Sequence, residues 1–339
     1  MSGIVFGEIQ LIDLFIIVYS NEIDNAEKLR AEVEACAFSC TNSIKVSSDL
    51  PSFENPNIFE FDKGETEERF DTIYLLTKLA NNFIWPDENK PEEVKVPGKL
   101  KQPPNTKQKR KPIFVADGLI AIDILNSLSR NMPSDVFFCP TPITAIGKSV
   151  LAEYLNVHCC DINEVHVWAA NDEVFHLEVE KPLVIHDEVD GNSRCDPGMV
   201  GKEFLESLNL DPTQMNATWM KKDFVEKVAS SASKNPYGCI YKAAIFAKTL
   251  RGIWKTRDKK AQISVACNMG VISNGSLGTA KGHPYVLPII FKGDSWITNE
   301  VHFEESAHLK QELKRINAVV KKHHKKVTLL KLFLKGQIT

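Results

Sequence analysis

Short runs of branched and aromatic residues alternate with stretches of helical periodicity along this chain, and that alternation constrains the fold more than any other feature. The strand candidates are Leu11 to Tyr19, Asp71 to Leu76, Pro112 to Ala116, Glu164 to Ala170, Lys181 to Ile185, Gln262 to Met269 and Tyr285 to Phe291. In "DNAEKLRAEVEACAF", Ala26, Leu29, Val33 and Ala37 recur every three or four residues with charges opposite, the spacing of one apolar helix face. The segments "TPITAIGKSVLAEYLNV", "KKDFVEKVASSA", "CIYKAAIFAKTLRGIW" and a C-terminal stretch carrying Leu309, Leu313, Ile316 and Val320 repeat that pattern. Strands alternating with helices in the first half predict a parallel α/β sheet. The second half, with two strands around a glycine-rich turn and then a long helix, predicts α+β.

One segment breaks the pattern. Pro86 to Pro112 is rich in proline and lysine and has no aromatic residue, so it buries too little surface to offset its ordering entropy and is expected to be a mobile loop. Its "KQKRK" end is read as a solvated surface run rather than an anion-binding patch.

Composition narrows the function classes. At 339 residues the chain is long enough for two cores, and 43% hydrophobic and 25% charged residues are ordinary for a globular protein. A net charge of −3 gives no ground for nucleic acid as the main partner. The most apolar N-terminal run, "LIDLFIIVY", contains Asp13, lacks a basic flank and is less than half the length that spans a bilayer. The expectation is a cytoplasmic chain without a membrane partner. Eight cysteines with no C-x-x-C are then expected to be reduced thiols.

Three motifs invite sharper readings. "GVISNGSLGTAKG" holds Gly270, Gly275, Gly278 and Gly282, but a phosphate-cradling loop lies between a strand and a helix, whereas "YVLPIIF" follows here, so a turn between strands is expected. "HDEVDGNSRCDPG" fails as a calcium loop, because with Gly191 in the sixth position the twelfth falls on Pro197. "HCCD", His158 to Asp161, would need consecutive residues to converge on one ion, so no metal is expected. In "VHVWAANDEVF" a buried strand turns polar at Asn171. That is a common way to present a catalytic group, yet an asparagine exchanges no proton near neutral pH.

"CIYKAAIFAKTLRGIW", followed by "NMGVISNGSLGTAKGHPYVLPIIFKGDSW" and a long terminal helix, resembles the malate dehydrogenase family of the lactate/malate dehydrogenase superfamily, cytosolic type. "NVHCCDINEVHVWAAN" is similar to the family's strand that ends in tryptophan, glycine, asparagine and the catalytic histidine. "IFVADG" looks like its strand ending in glycine-asparagine-proline, and "VFGEIQLIDLFIIVY" like its second strand. Within the family the divergent 1B branch, which also lacks the usual catalytic residues, is the nearest match.

What the resemblance implies can be checked slot by slot. Reduction of oxaloacetate needs a proton-donating histidine, a carboxylate to orient it, arginines to grip the substrate and a glycine-rich turn for the cofactor's pyrophosphate. Asn171 aligns with the histidine, and Ile143 and Ile146 align with the carboxylate and arginine, so no catalytic residue is intact. No arginine occurs between Arg69 and Arg110 to serve the substrate loop. Ile120 aligns with the asparagine after the glycine-asparagine-proline strand. Val18 takes the slot of the ribose-binding aspartate, and only ten residues precede its strand, where a strand, glycine-rich turn and helix need about 30. The first Rossmann strand is therefore expected to be missing, with no cofactor-binding residue intact and no cofactor, although the family uses NAD. His166, about 16 Å from Asn171 along an extended strand, and His176 are not expected to compensate.

The reading is an incomplete Rossmann-like parallel sheet in a degenerate dinucleotide-binding domain, residues 1–140, followed by an α+β substrate domain, residues 141–339. The expected function is that of a catalytically inactive family member acting as a binding or scaffold protein. Its partner would be a second copy or an active malate dehydrogenase, paired through a helix stripe of Ile240, Ala243, Ala244, Ala247, Leu250 and Trp254, unless that stripe packs inside its own domain. The alternatives are an NAD-dependent malate dehydrogenase working through altered residues, and a truncated gene product.

Overall fold

A computed structural model describes residues 12–17, 23–35, 41–47, 58–61, 111, 113–116, 118–129, 132–155, 159, 162, 165–179, 222–234, 239–257, 263–300 and 307–338. The strand expectations at Asp71 to Leu76 and Lys181 to Ile185, the loop from Pro86 to Arg110 with Pro112, and Val18 lie outside them.

The first unit is strand–helix–strand. β1 (Ile12–Ile17) and β2 (Thr41–Ser47) are parallel, joined through α1 (Ile23–Ala35). Of the apolar stripe expected on α1, Ala26 is buried but Leu29 is 39% exposed. A two-stranded sheet is narrow, so the helix keeps part of its apolar face in solvent.

The larger sheet has eight strands. Its order is β3 (Ile58–Phe61), β4 (Ile113–Ala116), β5 (Phe137–Cys139), β8 (Val265–Ile272), β9 (Pro284–Lys292), β6 (Val165–Ala169) and β7 (Phe175–Val179), with β10 (Ser295–Thr298) paired to β9. β3, β4 and β5 are mutually parallel, as the first-half pattern predicts, and every other pairing is antiparallel. Residue 140 lies in the connection after β5, and hydrogen bonding crosses it where β5 meets β8.

Both faces of the sheet are covered, so β4, reading Ile-Phe-Val-Ala, is buried at all four positions, as parallel strands between layers are. Phe114 faces one apolar cluster with α2 (Leu119–Leu128), α3 (Ile143–Leu155) and α4 (Phe224–Lys234). Ile113 and Val115 face a second with α5 (Cys239–Thr256) and α6 (Ala307–Ile338). α3 places Ile143, Gly147, Val150, Leu151 and Leu155 inward at helical spacing. A Cβ on Gly147 would lie 2.8 Å from Leu177 Cδ2, so a side chain there would require the end of Leu177 to shift. On α5, Ala247, Leu250 and Ile253 are buried, Leu250 and Ile253 in the second cluster with Trp254 packed against it. This part of the helix stripe packs inside its own chain.

The boundaries of β8 differ from expectation. The strand runs on to Ile272 through Gly270, which pairs with Cys139 of β5. A Cβ there would lie 2.6 Å from Cys139 Cβ and 3.0 Å from its carbonyl oxygen, so the glycine is needed inside the strand, not only in the turn. No helix among the described residues is long and apolar enough to cross a membrane.

Candidate functional site

Asn171 stands at the mouth of the hairpin between β6 and β7, the latter a strand that alternation alone did not reveal. Its Oδ1 accepts hydrogen bonds from the backbone N–H of Glu173 at 3.0 Å and of Val174 at 2.6 Å. The Ala170 N–H donates to the Val174 carbonyl at 2.8 Å and closes the same loop. An asparagine that folds back on its own turn in this way stabilises a local reversal.

Of the other aligned positions, 143 and 146 lie on a helix against β6. α3 packs on β6, and the side chain of Asn268 on β8 ties the two. Its Nδ2 donates to Thr144 Oγ1 at 3.0 Å and to the Val165 carbonyl at 2.6 Å, and its Oδ1 accepts from the Val167 N–H at 2.9 Å. Sequence reasoning missed this residue, because one asparagine inside an apolar strand reads as an interruption. Ile143 opens α3 at 0% exposure and Ile146 packs against the same cluster. Thr141 caps the helix, its Oγ1 accepting from Ile143 N–H at 3.3 Å. The branched side chains serve the core and offer no group that polarises an imidazole. Ile120 lies in the first turn of α2 at 53% exposure, apart from that cluster.

The two histidines nearest Asn171 in sequence lie on the other face of the sheet. Along β6, Val165, Val167 and Ala169 face the cluster containing Ile143, whereas Trp168 and Ala170 face the other, and His166 shares their parity. His166 and His176 are 3% and 2% exposed. The His176 ring packs beside Trp168 and edge-on to His308 at 5.1 Å between centroids, with Nε2 3.2 Å from Glu178 Oε1. Both histidines are packing groups on the side of the sheet away from Ile143.

The glycine-rich segment is a turn between antiparallel strands, as expected. Gly275, Gly278 and Gly282 take positive φ, and so does Leu277 at 56°, whose buried side chain joins the second cluster. Hydroxyls close the turn: Ser273 and Thr279 meet at 2.5 Å, and Tyr285 accepts from the Ala280 N–H at 3.0 Å. Burial pushes the Tyr285 hydroxyl above its ordinary pKa, the Ala280 bond pulling the other way.

A second polar cluster lies where α2, α6 and the end of this turn meet. Asp123, 1% exposed on an otherwise apolar helix, accepts from His324 Nδ1 at 2.8 Å. The His283 ring lies over His324 with centroids 4.1 Å apart, and its own Nδ1 is 3.2 Å from the Lys281 carbonyl oxygen. The sequence held only a weak signal for it, one charge in "LIAIDILNSL" and a histidine pair in α6. Of "HCCD" only Cys159 is described, and it is exposed. Among the described residues no three His, Cys, Asp or Glu side chains are arranged to hold a metal.

Comparison with protein-family models gives no match, and comparison with curated proteins gives none. Solved structures do match. Malate dehydrogenase from Naegleria fowleri aligns over 96% of this chain and 91% of its own, with a TM-score of 0.61 and 13% identity. Trichomonas vaginalis lactate dehydrogenase in complex with NADH and oxamate aligns over 98% and 93%, with 0.63 and 15%. Malate dehydrogenase from Plasmodium falciparum aligns over 95% and 92%, with 0.63 and 11%. The chain therefore has the α/β fold of the malate and lactate dehydrogenases, a Rossmann-like sheet joined to their C-terminal domain.

Proposed function

We propose that the chain is a catalytically inactive relative of the malate dehydrogenases, cytosolic in type and nearest the divergent 1B branch, that acts by binding rather than turnover. The observation that carries this reading is the Asn171 carboxamide, which folds back on its own turn, at the position that the sequence resemblance aligns with the family's proton donor. The burial of Ile143 supports it, since a carboxylate in that place would lose its solvation without a partner. In this reading residues 1–140 are a degenerate dinucleotide-binding segment and residues 141–339 the substrate domain. The protein works in the cytoplasm, paired with a second copy or with an active malate dehydrogenase.

NAD does not fit the described residues. The two described parallel crossovers leave their first strands through "VYSNE" after β1 and "DG" after β4, and neither holds the glycine set that lets backbone approach a pyrophosphate. α1 also carries Asp24 in its first turn, a charge that opposes a phosphate at a helix N-terminus. No chemical step is derived through the cofactor.

The test is a thermal-shift titration with NAD and NADH beside an assay of NADH oxidation on oxaloacetate. Specific binding raises the melting temperature by mass action. No shift and no turnover above background are expected. Turnover within about tenfold of an ordinary malate dehydrogenase would overturn the reading, because losing a general acid alone typically lowers the rate by about 10² to 10⁴.

A further inference from the structure

We propose that Asn274 is a latent modification site, where the side-chain amide converts to an acid, and that the Ser273 hydroxyl sets the rate of that conversion. Asn274 and Gly275 form the one Asn-Gly pair in the sequence. Asn274 is exposed to water, and the nitrogen that follows it belongs to a residue with no Cβ to shield it. The turn requires that glycine, because φ at Gly275 is 96° and a Cβ there would lie 3.4 Å from the Lys281 Cβ. The reaction is a ring closure followed by hydrolysis. The Gly275 nitrogen loses its proton and bonds to Asn274 Cγ, the Cγ–Nδ2 bond breaks, and ammonia leaves with that proton. Water then opens the imide, at Cγ to give aspartate or at the backbone carbonyl carbon of residue 274 to give isoaspartate. Water is the only co-reactant, and nothing is oxidised or reduced.

Geometry in the folded turn opposes the first step. In the planar imide, Cγ takes the in-plane position that the Gly275 hydrogen held, so attack needs that direction open. In the turn the hydrogen is directed at Ser273 Oγ, 2.9 Å from the nitrogen. Ser273 is fixed in its turn. Thr279 Oγ1 donates to the Ser276 carbonyl at 2.6 Å, so Ser273 is the donor in the 2.5 Å contact between the two hydroxyls, and its oxygen is left to accept from Gly275. Ser273 and Thr279 are buried, at 2% and 6% exposure, where water does not readily replace either partner. Asn274 Oδ1 accepts from the Ser276 N–H at 2.9 Å, which restrains the carboxamide as well. The product would disturb a contact between elements: isoaspartate lengthens the backbone of a turn whose Gly278 carbonyl accepts from Asn317 Nδ2 of α6 at 2.9 Å.

The full chain and a synthetic peptide of residues 271–280, incubated in parallel in mildly alkaline buffer, are followed by mass-spectrometric mapping of residue 274 and by enzymatic counting of isoaspartate. The folded chain should convert at least about tenfold more slowly than the peptide, and Ser273→Ala should recover about that factor, the effect of one hydrogen bond near the upper end of its usual range. Thr279→Val removes the neighbouring hydroxyl but keeps the Ser273 acceptor, so its rate should stay nearer the parent's. A folded chain that converts as fast as the peptide, an alanine variant no faster than the parent, or a valine variant as fast as the alanine one would overturn the proposal. The comparison of parent with peptide needs no variant to fold. Because mass and isoaspartate are read without NADH or oxaloacetate, the outcome is independent of the inactive-dehydrogenase reading.

Discussion

Substitutions at Asn171 separate a structural asparagine from a degraded catalytic position. Asn171→Ala removes the acceptor for two backbone donors, Val174 N–H at 2.6 Å in a half-buried setting and Glu173 N–H at 3.0 Å in an exposed one. Water replaces the partner of the exposed donor at little cost. The half-buried donor loses a bond worth about 1 kcal/mol, so the sum is roughly 1–2 kcal/mol. Unfolding entropy of about 2.1 cal/mol/K per residue over 339 residues is about 0.7 kcal/mol/K, which converts that loss to a fall in Tm of roughly 1.5–3 °C. Asn171→Asp keeps the accepting oxygen and should stay close to the parent, less a small repulsion from Asp172 and Glu173. Asn171→His installs the residue type that the proposed reading assigns to this slot in the malate dehydrogenases, but should lose stability like alanine and gain no NADH oxidation on oxaloacetate. Calorimetry and the coupled assay check both. An alanine variant as stable as the parent would refute the turn argument, and turnover in the histidine variant would refute the view that the rest of the site is gone.

Asn268→Ala should cost more, about 2–4 kcal/mol in urea unfolding, because it removes three hydrogen bonds and leaves backbone groups of a buried strand unpaired. Gly270→Ala would force a Cβ to 2.6 Å from Cys139 Cβ, and overpacking against backbone should lower stability by about 3 kcal/mol. By contrast, Gly278→Ala meets open space and bears only its φ of 71°, which should cost about 1 kcal/mol. Burial raises the Tyr285 pKa, so the fold favours the neutral phenol. Its stabilisation is present below the ordinary value of about 10 and is lost as pH rises through the higher folded value. Ultraviolet titration should show that late ionisation, and Tyr285→Phe should remove the corresponding alkaline loss of stability.

The strands legible in the sequence are those with enough length or apolar content to show a period. β4, β6 and β9 fall within a residue or two of expectation, and α3, α6 and the described side chains of α5 match their stripes. β5 is three residues long, too short for any alternation to register. β7 alternates, with Phe175 and Leu177 facing the first cluster, but His176 and Glu178 between them read as a polar loop until the N-terminal turns of α6 cover that face. Gly270 reads as the start of a turn because local pattern cannot report that a neighbouring strand 131 positions earlier leaves no space for a side chain. Asp123 and His324 are separated by 201 residues, and only the packing of α6 on α2 brings them together. Long-range pairings of this kind have no period to read.

The same packing bears on how the frame could stand without the chemistry, as the proposed reading requires. Asn268 holds α3 against β6 through backbone groups and Thr144, none of which depends on what stands at 143, 146 or 171. On the proposed reading those three positions are free to serve stability alone. Ile143 fills a place with no exposure, where an aliphatic side chain contributes about 1.5–3 kcal/mol of burial, while an unpaired carboxylate would lose several kcal/mol of solvation. Asn171 likewise contributes its turn. On the proposed reading each of these residues suits the fold it sits in: a histidine placed at 171 would forfeit the turn, and a carboxylate placed at 143 would be buried in an apolar cluster. Either change alone is therefore expected to destabilise the fold.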